Sequence, residues 1–530
     1  MNRPMGPASP TRRDVVVSAA ALAAVGAAAA AVPAVADTPP LQSKSLVGAS
    51  LGPFDRGTVT ELARKLAAKP YQAPPADLPA SIANLTYDQY QSIYASPENN
   101  IFKDDNLPFR LQLFHRGFYY REKIDVAVVK DGQAYSIPYS SDLFKFGSNV
   151  PPLGDVGDLG FGGIRLLGKI NDPNRFDEIA VFAGASYFRS LGKNQNYGLS
   201  ARGLALNTAG PGQEEFPIFR AFWIEQPTAT DDGIIVHALL DSVSVAGAYQ
   251  FSIRPGDQTI MDVEVTLFPR VDLPRAGLAP FSSMFYFDGN GREGVDDFRP
   301  EVHDSNGLLM LSGAGETIWR PLSDPHNLQV SAFVDEGPRG FGPMQRNRDP
   351  RDYQDLIARY ETRPSLWIEP VGDWGKGTVT LVEIPSDSEI NDNIVAFWSP
   401  GTPMTGGSQY SFAYRLYWGD GPDPDGMTRV VDTRRGRAML KGDSPNRRIV
   451  IDYQPAVPPV TTTASIDPKA DVTASGGTVS EVDVMANPLI NGWRLWFKLD
   501  PGNEKLIELR AVLKLDDSKP VETWLYRWTV

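Results

Sequence analysis

Residues 261–267, MDVEVTL, alternate without a fault: Met261, Val263, Val265 and Leu267 fall on one side, Asp262, Glu264 and Thr266 on the other. A period of two predicts a half-buried strand. Similar short runs recur as IFRAFWIEQ, GIIVHALLD, FSSMFYF, LQVSAFVD and GTVTLVEI. REKIDVAVVKDGQAYSIPY reads as a hairpin around Asp131-Gly132. Only residues 55–69 show a clear helical pattern, with Val59, Leu62 and Leu66 on one stripe and Asp55 as the expected cap. So many strands joined by Gly/Pro turns predict an all-β protein with a large antiparallel β-sandwich from 42 to 398. SPGTPMTGGS, 399–408, lacks periodicity and is the expected linker. The strand-like runs of 409–530 (YSFAYRLYWG, RRIVIDY, NGWRLWFKL, LIELRAVLKL, VETWLYRW) suit a C-terminal Ig-like β-sandwich.

Composition narrows the chemistry. The 530 residues include no cysteine and four histidines, none in an HxxxH or HExxH arrangement, so no metal site and no cofactor is expected. A formal charge of −13 argues against nucleic acid as a partner but not against neutral sugars. Residues 1–36 read as a cleaved export signal: Arg12 and Arg13 precede an alanine-rich stretch, and AVA precedes Asp37. The arginine pair matches the twin-arginine route to the periplasm. No later segment is long and apolar enough to span a bilayer.

Two polar clusters stand between strands. VEIPSDSEINDNIVAFWSP, 382–400, holds Glu383, Asp387, Glu389 and Asp392; DDFRPEVHDSNGLLM holds Asp296, Asp297, Arg299, Glu301, His303, Asp304 and Asn306. The second matches no EF-hand or zinc spacing. Near both lie aromatic residues in charged company: Trp319 with Arg320, Tyr353, and Trp367 with Glu369. Rings that stack on pyranose faces, beside planar polar groups that bind hydroxyls, suit a sugar site. Glycosidic cleavage needs two carboxyl groups, one to protonate the leaving oxygen. No G-x-S-x-G elbow or nucleotide motif offers another chemistry.

The runs YDQYQSI, GASYFRSLGKNQNYGLSARGLALNT, EEFP, LLDSVSVAGAYQF, RPEVHDSNGL, GAGETIWRPL, PRGFGPMQR, DNIVAFWSP and YRLYWG together resemble the periplasmic glucan biosynthesis family (MdoG/MdoD, or OpgG/OpgD). The resemblance covers nearly all of the chain after residue 46, and the twin-arginine pair is similar to the D-type member. It implies a galactose-mutarotase-like sandwich followed by an Ig-like domain. It further implies an inverting endo-β-1,2-glucanase, with Asp392 as general acid and Asp304 as base. Related activities are a transglycosylase that closes β-1,2-glucan rings, or a non-catalytic glucan-binding partner of a membrane glucosyltransferase. Where the family often has a further acid after HDS, this chain has Asn306. Trp319, Arg320, Tyr353, Trp367, Glu369, Glu383 and His303 are the expected sugar contacts. Asp387 and Glu389 are left as solvated turn residues.

Overall fold

The hairpin at Asp131-Gly132 forms as its sequence predicts. Both residues take positive φ (51° and 71°), and Lys130 pairs with Gln133 across a two-residue turn of the primed kind. The computed structural model describes residues 48–103, 107–154, 156–422, 426–438, 445–455, 468–515 and 520–530. The expected export signal lies outside them. Strands dominate, as the alternating runs predict, and most pairings are antiparallel; Asp125–Lys130 with Ile218–Glu225 and Thr317–Pro321 with Thr523–Thr529 are parallel. Among the described residues no helix is long and apolar enough to cross a membrane.

Two units divide the chain. The first takes Met1–Ser282 and Phe397–Gly419, the second Ser283–Ala396 and Asp420–Val530. In the first, one sheet runs in the order Ser50–Pro53, Gln133–Ser136, Asp125–Lys130, Ile218–Glu225, Ile234–Asp241, Val245–Arg254, Thr259–Pro269 and Tyr410–Gly419. Met261, Val263, Val265 and Leu267 are all buried, so the alternation at 261–267 is a true two-faced strand. A second sheet carries Asp177–Ala183 and Tyr187–Ser190. The sheets meet through edge-to-face rings, Phe182 on Phe222 and Phe251 (5.6 and 5.0 Å between centroids) and Phe188 on Phe251 (5.1 Å). That interlock is a sandwich core.

The helix spans Thr58–Ala67. It buries Val59 and Ala63, with Leu66 partly covered, whereas Leu62 is 37% exposed. The inward stripe is therefore 59, 63 and 66. Gly57 occupies the N-cap, and Asp55 instead accepts the Thr58 hydroxyl at 2.9 Å, bracing the turn before it. The expected linker 399–408 also differs: Tyr410–Gly419, expected to open the second sandwich, pairs along Thr259–Pro269 and belongs to the first unit. Its apolar-polar rhythm suits either sheet, and the sequence carries no local signal of which one it joins.

In the second unit a sheet runs Ser365–Val371, Gly340–Met344, Gly307–Leu311, Thr317–Pro321, Thr523–Thr529, Leu506–Lys514 and Lys469–Ala474. Four strands, Thr428–Arg437, Arg447–Pro455, Gly492–Asp500 and Thr478–Asn487, form another. Trp524 of the first meets Phe497 of the second edge-on at 6.2 Å, and its indole N–H donates to Thr433 Oγ1 at 3.0 Å. A small ribbon, Phe285–Phe287 with Val302–His303, packs over Met284, Tyr353 and Tyr360.

Gly132→Ala tests the hairpin. A Cβ there meets nothing closer than 3.9 Å, so only the left-handed φ is penalised. The expected loss is about 1–2 kcal/mol of stability, read by denaturant unfolding; an unchanged midpoint contradicts the turn assignment.

Candidate active site

Asp392 and Asn393 precede the apolar strand Ile394–Pro400 and are themselves buried, at 6% and 2% exposure. Asn393 behaves like a strand neighbour made of one side chain. Its Oδ1 accepts from Phe285 N at 2.9 Å, and its Nδ2 donates to Phe285 O at 2.8 Å. Nδ2 also reaches Ile384 O at 3.2 Å, while Ile384 N donates to Asn393 O at 2.9 Å. Phe285 pairs with His303, and the next residue, Asp304, donates its N–H to Met284 O at 2.8 Å. One amide thus ties the segment bearing Asp392 to the ribbon that leads into Asp304.

Asp304 is 4% exposed and ion-pairs with Arg363. The guanidinium lies 4.2 Å over the Tyr360 ring. Burial alone weakens the arginine's charge, but Asp304, Tyr360 and Asp392 together raise its pKa. Both candidate carboxylates therefore act on one cation. The buried Nε–H of Arg363 has no protein acceptor among the described residues.

Asp324 is a neighbour that nothing in SDPH announces. Its Oδ1 accepts from Ser386 N at 2.9 Å and, weakly, from Asn393 Nδ2 at 3.4 Å. Burial pushes its carboxyl up to about 7, helped by the charges of Asp387 and Glu383 and opposed by those two hydrogen bonds.

The expected sugar contacts sit deeper than a binding surface. Glu383 and Arg320, almost fully enclosed, pair at 2.8 Å, and Ser323 donates its N–H and hydroxyl to Glu383 at 2.8 and 2.9 Å. His303 is fully buried, stacked on Phe285 at 5.7 Å and edge-on to Tyr353 at 5.3 Å. Its ring nitrogens meet Gln345 Oε1 at 2.8 Å and Glu301 Oε2 at 3.1 Å. Burial favours the neutral imidazole, but the Glu301 bond and the charges of Glu301 and Asp288 outweigh it and raise the pKa. Tyr353 is buried and donates its hydroxyl to Asn347 O at 3.0 Å. The Trp319 and Trp367 indoles cover Gly307 and Gly340, where a Cβ would fall 2.1 and 2.0 Å from the rings. Arg346, paired with Glu522, caps Trp319 at 3.7 Å. Glu369 is half-buried on strand Ser365–Val371. Glu389 is not a solvated turn residue: it pairs with Arg299 at 2.6 Å, beside Asp297 and Asp355. Asp387 is exposed, as expected. Asn306 Oδ1 accepts from Arg346 N at 3.1 Å, fixing the start of the segment after Gly340–Met344.

Sequence reasoning missed Arg363, Asn393 and Asp324. The amide beside Asp392 was in view, but its partner is 108 positions away. Among the described residues no cluster of three or more metal-ligating side chains is present.

The model of the family described as "Periplasmic glucan biosynthesis protein, MdoG" matches residues 54–528. A Glucans biosynthesis protein G of Vibrio cholerae serotype O1 is 54% identical over 489 residues, covering 91% of this chain and 88% of that protein. One from Shewanella frigidimarina is 53% identical over 480 residues, covering 90% and 85%. Both relatives are G-named; the D-type likeness rests on Arg12 and Arg13, outside the described residues. A solved polysaccharide lyase aligns over 70% of this chain and 44% of its own at 11% identity, with a TM-score of 0.20, too remote to inform fold or function.

Two outcomes test this geometry. Arg363→Met strands a buried Asp304 carboxylate and is expected to cost about 3–5 kcal/mol at pH 7, most of it recovered by adding Asp304→Asn; additive losses in denaturant unfolding contradict the pairing. Asp324 holds its proton more tightly when folded than at the unfolded value near 4, so its stabilising contribution falls as pH rises from about 4 to about 7. The melting-temperature difference between Asp324→Asn and the parent should therefore move in the variant's favour over that window and level off above it; a flat difference contradicts the raised pKa.

Proposed function

The chain belongs to the periplasmic glucan biosynthesis family, and within that family's role we propose that it is an inverting endo-β-1,2-glucanase. The observation that carries this reading is a pair of buried carboxylates, Asp304, ion-paired with Arg363, and Asp392, whose charge the same guanidinium feels more weakly. A proton donor working near neutral pH needs shelter from water, and Asp392 is 6% exposed. In the proposed step Asp392 gives its proton to the glycosidic oxygen as the C1–O bond breaks. A water attacks C1 from the opposite face, and its proton passes to Asp304, directly or through a second water. The β-linkage then yields an α-anomer. Arg363 orients Asp304 through the ion pair, and its free Nε–H can hold a substrate hydroxyl. Periplasmic location, reached by the twin-arginine route, belongs to the same proposal.

The test is incubation with linear β-1,2-glucan, followed by product chromatography and proton NMR of the first-formed anomer. Shortened chains with α-anomers first are expected. Cyclic products identify a ring-closing transglycosylase instead, and unchanged glucan that nevertheless binds identifies a partner of a membrane glucosyltransferase. Asp392→Asn should lower kcat by about 10²–10⁴-fold or more while leaving glucan affinity within a few-fold. Full turnover in that variant removes Asp392 from the acid's role.

A further inference from the structure

The first unit carries a pocket of its own. The short helix Tyr87–Gln91, opened by a Thr86–Gln89 capping box, and the strands Ile93–Ala95 and Phe109–Phe114 supply most of its wall. The pocket bounds about 670 Å³ of space, open solvent included. Rings are crowded here: Tyr90 stacks on Phe118 at 6.1 Å, Phe114 on Tyr120 at 6.4 Å, and Tyr87 tilts against Phe118 at 5.8 Å. Tyr94, also in the wall, is 55% exposed and makes no ring contact among the described residues. An aromatic that far into solvent gains little from folding, whereas a ligand's apolar face would bury it.

The electrostatics select the ligand further. Among the described residues Arg165 is the one charged side chain in the wall, and Glu178 already neutralises it at 2.7 Å. Burial lowers the His115 pKa to about 4, so that ring is neutral at pH 7. The pocket therefore offers no net charge to an anion or a cation. What remains is aromatic faces, the amide oxygens of Gln91 and Gln112, whose Nε2 groups donate to the Tyr87 hydroxyl and to Asn100 Oδ1 (3.0 Å for the latter), and a buried Arg165 Nε–H with no protein acceptor among the described residues. C–H faces for the rings and hydroxyls for the amides and the guanidinium describe an uncharged sugar.

We propose that this pocket is a second, non-catalytic glucan-binding site, which holds a short stretch of β-linked glucose chain by stacking on Tyr94 and its neighbours. The inference takes its ligand class from the glucan reading above and does not depend on hydrolysis.

Hydrogen exchange read by mass spectrometry on the full chain tests it. The Asp392→Asn background prevents turnover, and linear β-1,2-glucan is the probe. Protection is expected in peptides covering 87–95 and 109–120, and separately in those covering 301–306 and 387–393. Adding Tyr94→Ala should raise the glucan concentration for half-protection of 87–120 at least tenfold and leave that for 301–306 and 387–393 unchanged. Because Tyr94 is exposed, this variant keeps the fold, which the exchange pattern without glucan verifies. Protection at 301–306 and 387–393 alone overturns the second site and leaves the glucanase reading standing. Protection at 87–120 alone upholds the second site and sinks the catalytic assignment. Protection at neither place overturns both, and protection of 87–120 that ignores Tyr94→Ala removes the stacking argument.

Discussion

A carboxylate stays charged in a protein interior when a cation or hydrogen-bond donors go with it, and Arg363 is the cation on which Asp304 depends. The same guanidinium feels the charge of Asp392, so its position couples the two groups that the proposed chemistry needs. Geometry is settled by a neutral residue. Asn393 uses both ends of its amide on the backbone of Phe285, and Phe285 pairs with the ribbon strand that runs directly into Asp304. Charge holds one side of the site and an amide clamp the other. Each hydrogen bond of the clamp contributes only about 1 kcal/mol net. Their value lies in fixing direction.

The surrounding unit buries its other charges in the same manner. Glu383 is matched by Arg320 and Ser323, and Asp452 is gripped by Arg494 at 2.7 Å through both carboxylate oxygens, with Arg434 at 3.1 Å. Beside them, His303, Glu301 and Gln345 form a hydrogen-bonded chain under Tyr353. Asp288, whose carboxyl burial pushes up to about 8, shares this neighbourhood electrostatically. Satisfied polar networks of this kind specify one packing arrangement more sharply than apolar contacts do. A site for a long, neutral, hydroxyl-rich chain gains from such stiffness, because its own contacts are many and individually weak.

Local physics was legible in the sequence and distant pairing was not. The alternation at 261–267 and the Asp131-Gly132 turn each depend on neighbouring residues, and both formed as read. The helix was found, but its buried stripe moved from Leu62 to Ala63, since a small residue fits closer against a sheet than a leucine does. Asp304 and Asp392 were reached through a resemblance of motifs, not through spacing. Arg363 lies 59 positions from Asp304, and no pattern within ETRPSLW sets it apart from a surface arginine. Trp319 and Trp367 read as sugar platforms because indole composition cannot reveal the glycines lying beneath them. Glu383 read as a sugar contact at the end of the strand-like run GTVTLVEI; it does end strand Lys376–Glu383, but it points at Arg320, 63 positions away.

In the proposed chemistry Asp392 and Asp304 address one glycosidic bond from opposite faces. A crystal structure of the Asp392→Asn protein with a linear β-1,2-glucan oligosaccharide tests it most directly. A glycosidic oxygen is expected within hydrogen-bonding distance of the residue 392 side chain. Asp304 is expected on the far side of the adjoining C1, joined to it by one or more waters. Glucan bound with both side chains on the same face of C1, or bound in the second unit away from Asp392 and Asp304, would contradict it.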